Sequence, residues 1–122
     1  MRGRFRTGDL GRRRFERLVA DALDDLPGWV EEKLDNVEVL IEEWPPEEQP
    51  GLLGLYEGIP LTQRGQSYAG VLPDRITLFR RTIESQATDE ETLKRAVRRT
   101  VAHEIAHHFG ISDERLRDID RY

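Results

Sequence analysis

Residues 88–110 have the sequence TDEETLKRAVRRTVAHEIAHHFG, in which apolar side chains recur at every fourth position. These side chains are Leu93, Val97, Val101 and Ile105. Such a recurrence predicts an amphipathic helix with one buried face. Thr88 and Glu91 have the spacing of a capping box, and Gly110 is the residue type favoured just after a helix end. We therefore predict one long helix that opens at this box and runs to Phe109.

The last turns of this helix contain the motif HEIAH, residues 103–107. Two histidines four residues apart lie on one helix face, so His103 and His107 can bind one zinc ion at about 2.0–2.1 Å. Glu104 is rotated from them by about 100°, and it reaches a water molecule at the open coordination position. We predict that the histidines bind zinc and that Glu104 is the general base. The alternative is a helix with two surface histidines and a solvated glutamate.

The motif continues as HExxHxxGxxD, which adds Asp113 as a third candidate ligand. A catalytic zinc site uses three protein ligands, and Gly110 can adopt a positive φ that lets the chain reverse towards the histidines. Ser112 and Asp113 could instead begin another short helix as its cap and first-turn acid. Glu114 is the fallback ligand. His108 falls on the apolar face and is predicted to be a packed, hydrogen-bonded core residue without a metal role.

The rest of the chain contains two further helical patterns and three strand patterns. They are a helix at Phe15–Leu26, a short helix from Pro27 to about Leu34, and strands at Val37–Glu42, Leu52–Tyr56 and Arg75–Ile83. The long polar segment 57–74 is predicted to be a functional or mobile loop. This order predicts an α+β fold. We expect a small mixed sheet of about three to four strands, N-terminal helices and a C-terminal active-site helix.

Composition favours a single soluble domain, predicted at residues 15–122, after a basic N-terminal arm at 1–14. The first seventeen residues hold seven arginines and two acidic residues, whereas the whole chain has a net charge of -5. An acidic body with one short basic arm disfavours nucleic acid as a partner. No apolar run reaches the roughly 18 residues of a membrane span, and Asp21 interrupts the stretch that an export signal would need. We expect a cytoplasmic protein that enters no membrane, and the sequence leaves its oligomeric state open.

Two other segments accompany the motif: GLYEGIPL at residues 54–61 and GVLPDRITL at residues 70–78. With them, the sequence resembles a family of small bacterial zincin-like proteins, the minimal zincins, through the last two thirds of the chain. The long HExxHxxGxxD motif also resembles the metzincin type, in which the residue at the position of Asp113 is the third ligand. The only methionine is Met1, so the methionine-containing turn of metzincins is missing.

The resemblance implies a zinc cofactor and a helix-backed sheet whose edge strand holds an extended peptide or protein substrate above the metal. In that picture zinc polarises a water molecule and the scissile carbonyl, and Glu104 moves a proton from the water to the leaving amine. We therefore predict a zinc-dependent metallopeptidase. The alternative is a non-hydrolytic zinc-binding module that holds a peptide or protein partner. Tyr68 and Tyr122 are possible oxyanion donors, and the sequence does not choose between them.

Overall fold

The computed structural model describes residues 2–58 and 74–110, with side chains from residue 11 onward. Its elements are α1 (Arg2–Asp24), α2 (Gly28–Lys33), β1 (Val37–Glu42), β2 (Gly54–Glu57), β3 (Asp74–Phe79), α3 (Arg80–Ser85) and α4 (Glu90–His108). Most of the loop predicted at 57–74 lies outside these ranges. The three strands form one small mixed sheet with helices before and after it, which confirms the predicted α+β fold. None of the described helices is long and apolar enough to cross a membrane.

The sheet has the strand order β1-β3-β2, so β3 lies in its centre. β3 pairs in parallel with β1, where Val39 lies opposite Ile76, and in the antiparallel direction with β2, where Tyr56 lies opposite Ile76. β1 has the bounds that the sequence predicts, whereas β2 begins at Gly54 instead of Leu52. Within the described part of the chain, β2 pairs on one side only and packs against α4. α4, the helix that contains the HEIAH motif, therefore lies beside the edge of the sheet that β2 forms.

The hydrophobic core lies between the sheet and the helices α1 and α4. The apolar face of α4 is buried as its periodicity predicts, and Val97 is completely shielded from solvent. α1 packs against α4 and contributes Phe15, which is also fully buried. Because each large apolar side chain that is buried contributes about 1.5–3 kcal/mol, this layer holds α4 firmly across the sheet.

The first helix is longer than its apolar pattern predicts. α1 begins at Arg2, whereas the predicted start is Phe15. Arginine is a good helix former, and Nε of Arg12 donates to Glu16 one turn later at 3.3 Å. Nη2 of Arg12 also donates to the carbonyl oxygen of Ile41 at 2.7 Å. These ionic and polar contacts, which an apolar periodicity does not register, stabilise the helix at Arg12, before its apolar pattern begins.

The strand predicted at Arg75–Ile83 is wrong in its second half, because β3 ends at Phe79 and α3 follows. The side chain of Arg80 is buried, and its guanidinium donates to the two carboxylate oxygens of Glu43 at 3.0 Å and 2.8 Å. It also donates to Glu84, one helical turn later, at 3.0 Å. A pair at this spacing favours a helix, and the long-range pair with Glu43 fixes its position. Together these contacts outweigh the strand preference of the local sequence.

Glu43 is the centre of an ionic cluster that joins α1, α3 and the end of β1. Besides Arg80, it accepts hydrogen bonds from Arg12 at 2.7 Å and from Arg81 at 3.0 Å. The hydrogen bond from Arg80 is the main cause that lowers the pKa of Glu43 from 4.5 to about 2, against an opposing effect of desolvation. The bond from Arg12 lowers this pKa further. The basic N-terminal helix is thus attached to the acidic body of the protein.

The cap of α4 lies one residue later than the sequence predicts. Asp89 and Thr92 form the capping box, whereas the sequence predicts a box between Thr88 and Glu91. Oδ1 of Asp89 accepts from the backbone N–H of Thr92 at 2.9 Å, and Oγ1 of Thr92 accepts from the N–H of Asp89 at 3.0 Å. Aspartate is as good an N-cap residue as threonine, so the local sequence permits both registers. At the other end, Gly110 has the predicted positive φ, 84°.

Candidate metal centre

The last two turns of α4 bring together three side chains that can bind a metal: His103, Glu104 and His107. One possible ligand atom of each lies within 4.8 Å of the other two. The centroids of the two imidazole rings are 4.7 Å apart, and the ring planes make an angle of 68°. Nδ1 of His107 is 3.4 Å from Oε1 of Glu104. The four-residue spacing therefore brings the two imidazoles together, and Glu104 lies beside them.

The three side chains differ in their access to solvent. Glu104 is only 5% exposed, whereas His103 and His107 are both half-buried. Two imidazole nitrogens beside a carboxylate form the kind of nitrogen and oxygen donor set that zinc prefers. The half-exposed histidines can accept an ion from solvent, while the buried glutamate is held beside them. The residues present therefore fit a zinc ion that His103 and His107 would hold.

Gly54, the first residue of the edge strand β2, lies directly against the acidic residue of this cluster. A Cβ atom at position 54 would be 3.0 Å from Cγ of Glu104, 3.2 Å from its Oε2 and 3.1 Å from Cγ2 of Thr100. Carbon atoms pack best at about 3.5–4.0 Å, so a larger residue at position 54 would force β2 or the side chains of α4 to shift. The motif on α4 assigns no role to Gly54, although a glycine inside a strand often marks such a close approach.

A cavity of about 310 Å³ lies beside the cluster, between α4 and the segment that leads into β2. Its lining residues are Gly51, Leu52, Leu53, Gly54, Arg99, Thr100, His103 and Glu104. One wall is apolar and comes from the chain before β2, whereas the other is polar and comes from α4. Ligand cavities usually measure about 300–1,000 Å³, so this cavity has the size for one side chain or one chain end.

His108 follows His107 in the sequence but lies outside the donor cluster. Its Nδ1 is 2.8 Å from Oδ2 of Asp74, and its Nε2 is 3.2 Å from the carbonyl oxygen of Lys33. The hydroxyl of Tyr56 donates to the same Oδ2 of Asp74 at 2.7 Å. A carbonyl oxygen can only accept, so Nε2 of His108 carries a hydrogen. The prediction of a packed, hydrogen-bonded core histidine is confirmed.

This His108 cluster, formed by His108, Asp74 and Tyr56, ties the end of α4 to two strands. Asp74 and His108 are each 2% exposed, so their hydrogen bond lies in a region of low dielectric, where such bonds are strong. Asp74 precedes His108 by 34 residues and Tyr56 precedes it by 52. Contacts over such separations leave no periodic signal, and the sequence pattern did not find the roles of Asp74 and Tyr56. The cluster fixes the turn of α4 that carries His107.

The predicted third ligand, Asp113, lies outside the described residues, as does its alternative, Glu114. Tyr68 and Tyr122, the possible oxyanion donors, lie outside them as well. Gly110 has the left-handed φ that the predicted chain reversal requires, and glycine adopts it without strain. Ligation by Asp113 stays a prediction.

Comparison with known proteins agrees with this geometry. A family model described as zincin-like metallopeptidase matches residues 34–122, a range that includes the whole sheet and α4. The fold is similar to the solved structure of a conserved hypothetical protein from Thermo thermophilus, with a TM-score of 0.56 and 26% sequence identity. That similarity covers 89% of this chain and 99% of the other. No curated protein sequence matches the chain. On the strength of the family match, the chain belongs to the zincin-like metallopeptidase family.

Proposed function

We propose that this protein is a zinc-dependent peptidase in which His103 and His107 hold the metal and Asp113 completes its protein ligands. The observation that carries the proposal is the convergence of His103, Glu104 and His107 within 4.8 Å at the edge of the sheet. A solvent-accessible pair of imidazoles beside a shielded carboxylate is the arrangement that metal-assisted hydrolysis requires. The family match supports the same reaction class.

Bound zinc would supply a Lewis acid that polarises a water molecule and the scissile carbonyl. Glu104 supplies the base: a carboxylate oxygen takes the proton of the attacking water and later donates it to the leaving amine. Its side chain is 5% exposed and packs against Gly54, so few rotamers are open to it. A catalytic group held in this way reacts from a fixed position.

The edge strand β2 supports a peptide as the substrate. Among the described strands it pairs only with β3, so it lies at one edge of the described sheet, and extended peptides bind proteins at sheet edges of this kind. β2 also begins at Gly54, directly against Glu104. A peptide added along this edge would therefore pass the general base. We include an extended peptide segment, free or within a protein, in the proposed substrate class.

Cleavage of a library of quenched fluorescent peptides by the zinc-loaded protein tests the proposal. Glu104→Gln removes the base while keeping the size of the side chain, and we expect a loss of at least about 100-fold in cleavage. Glu91→Gln is the matched control, because Glu91 is exposed on the same helix and away from the site. Equal cleavage by the wild type and Glu104→Gln would rule out this mechanism.

One contact favours a second candidate, a zinc-binding module that does not hydrolyse its peptide or protein partner. Oε1 of Glu104 lies 3.4 Å from Nδ1 of His107, so the glutamate could orient that imidazole instead of activating water. This module would bind zinc and peptides but would cleave none of the library. The same assay therefore separates the two functions.

A further inference from the structure

We propose that the cavity beside the metal centre is a substrate subsite for a carboxylate group, and that Arg99 binds this group. The inference rests on the proposed peptidase function and narrows its substrate class to peptides that carry a carboxylate close to the scissile bond. The carboxylate can belong to an acidic side chain or to the C-terminus of the peptide, since both present the same two oxygens.

Arg99 is the permanent cation among the described lining residues of the cavity. Its neighbour on α4, Arg98, pairs with Oδ2 of Asp25 at 3.0 Å. Arg99 itself makes no ion pair or hydrogen bond with the residues of 2–58 and 74–110, and it is exposed to solvent. Its guanidinium is therefore available to a ligand. A guanidinium binds a carboxylate through two parallel hydrogen bonds, which a neutral amide cannot reproduce.

The position of Arg99 on α4 relates the subsite to the reacting bond. Arg99 precedes His103 by four residues, so the two lie about 6 Å apart along the helix axis. An extended peptide advances about 3.3 Å per residue, which places the bound carboxylate about two residues from the metal centre. The cavity of about 310 Å³ has the size for one such side chain or chain end. Leu52 and Leu53 provide apolar surface for its methylene groups.

The carboxylate of the ligand meets two charged side chains in this cavity, and their burial differs. Glu104 is 5% exposed, whereas Arg99 is exposed. A carboxylate that enters from solvent therefore reaches the guanidinium before it approaches the buried glutamate. Since the electrostatic attraction of an exposed arginine is modest, we expect a discrimination of about twofold to fivefold against the neutral amide.

Binding of three hexapeptides labelled with dansyl, a fluorophore that carries no carboxylate, tests the inference by fluorescence anisotropy at low ionic strength. The first contains one glutamate and ends in an amide, the second has glutamine at that position, and the third is the glutamine peptide with a free C-terminal carboxylate. The protein is the zinc-loaded Glu104→Gln chain, so that the peptides stay intact. Arg99→Gln is compared in this background with Arg95→Gln. The control removes the same charge from an exposed position one turn further from the cavity.

We expect a carboxylate-containing peptide to bind about twofold to fivefold more tightly than the neutral one, a preference that Arg99→Gln abolishes and Arg95→Gln retains. Tight binding of the first peptide identifies a side chain as the ligand, and tight binding of the third identifies a chain end. Equal affinity for all three peptides would overturn the subsite and leave peptide binding intact. A preference that survives Arg99→Gln, or falls equally in Arg95→Gln, would also overturn it. If no peptide binds, both the carboxylate subsite and the peptide substrate class are overturned. Cleavage of the wider peptide library then tests the peptidase function separately.

Discussion

A methyl group at position 54 would enter a contact that is already tight. In Gly54→Ala the new Cβ would lie 3.0 Å from Cγ of Glu104 and 3.1 Å from Cγ2 of Thr100. Carbon atoms pack best at about 3.5–4.0 Å, so Glu104 or the backbone of β2 must move by a few tenths of an ångström, up to about 0.5 Å. Overpacking of this kind costs about 1–3 kcal/mol. A displacement of 1 Å at a catalytic group can reduce the rate about 100-fold, so half that distance predicts a loss of about tenfold.

Three measurements on zinc-saturated Gly54→Ala follow this reasoning: peptide cleavage, zinc content and thermal unfolding. We expect cleavage to fall about tenfold while the zinc content is retained, because the displaced residue is the base and the histidines are not touched. The melting temperature should fall by about 4–12 °C for a domain of this size. Retained zinc with reduced cleavage would show that the strand positions Glu104.

Gly51→Ala is the control for this variant. Gly51 lines the same cavity, but a Cβ atom there would meet nothing within 4 Å. We expect it to keep both cleavage and melting temperature close to those of the wild type. If Gly54→Ala also behaves like the wild type, then β2 does not press against Glu104 and the reasoning is refuted.

Three further changes test contacts that hold the fold. The pKa of Glu43 is about 2 in the folded protein and 4.5 when unperturbed, so its stabilising effect is present above pH 4.5 and is lost as the pH falls towards 2. Since Glu43 is about one third exposed, we expect Glu43→Gln to lower the free energy of unfolding in urea by roughly 1–2 kcal/mol at pH 7. Near pH 2 the substitution should change it hardly at all. Equal decreases at both pH values would count against the ionic cluster. Tyr56→Phe removes the 2.7 Å hydrogen bond to buried Asp74 and should lower the free energy of unfolding by about 1–3 kcal/mol. An unchanged urea midpoint would contradict this expectation. Asp89→Ala removes the N-cap of α4 and should lower the urea midpoint of unfolding, whereas an equal decrease in Thr88→Ala would favour the earlier capping register.

The features that could be predicted are those that local spacing determines. The helix period of α4 and the four-residue spacing of its histidines lie within one element, and so does the alternation in β1. The capping register of α4 was missed by one residue because Thr88 and Asp89 are both good N-cap residues. Local pattern therefore predicts an element and its face more reliably than its ends.

The features that could not be predicted depend on contacts between distant residues. α3 forms where a strand was expected because Arg80 pairs with Glu43, 37 residues earlier. The role of Asp74 at the start of β3 becomes visible only when α4 places His108 beside it. Gly54 likewise gains its role from a helix that lies far along the chain. In each case tertiary contact, and not local propensity, sets the outcome.

Zinc content, measured by mass spectrometry on protein purified without chelator, tests whether this site holds a metal. The wild type is compared with His103→Ala, which removes one ligand, and with Glu104→Gln, which keeps both histidines. We expect about one zinc per chain in the wild type and in Glu104→Gln, and less than about a tenth of that in His103→Ala. A wild-type chain that retains no zinc at neutral pH, even after zinc is added and the excess is dialysed away, would contradict the metal centre and the peptidase function built on it.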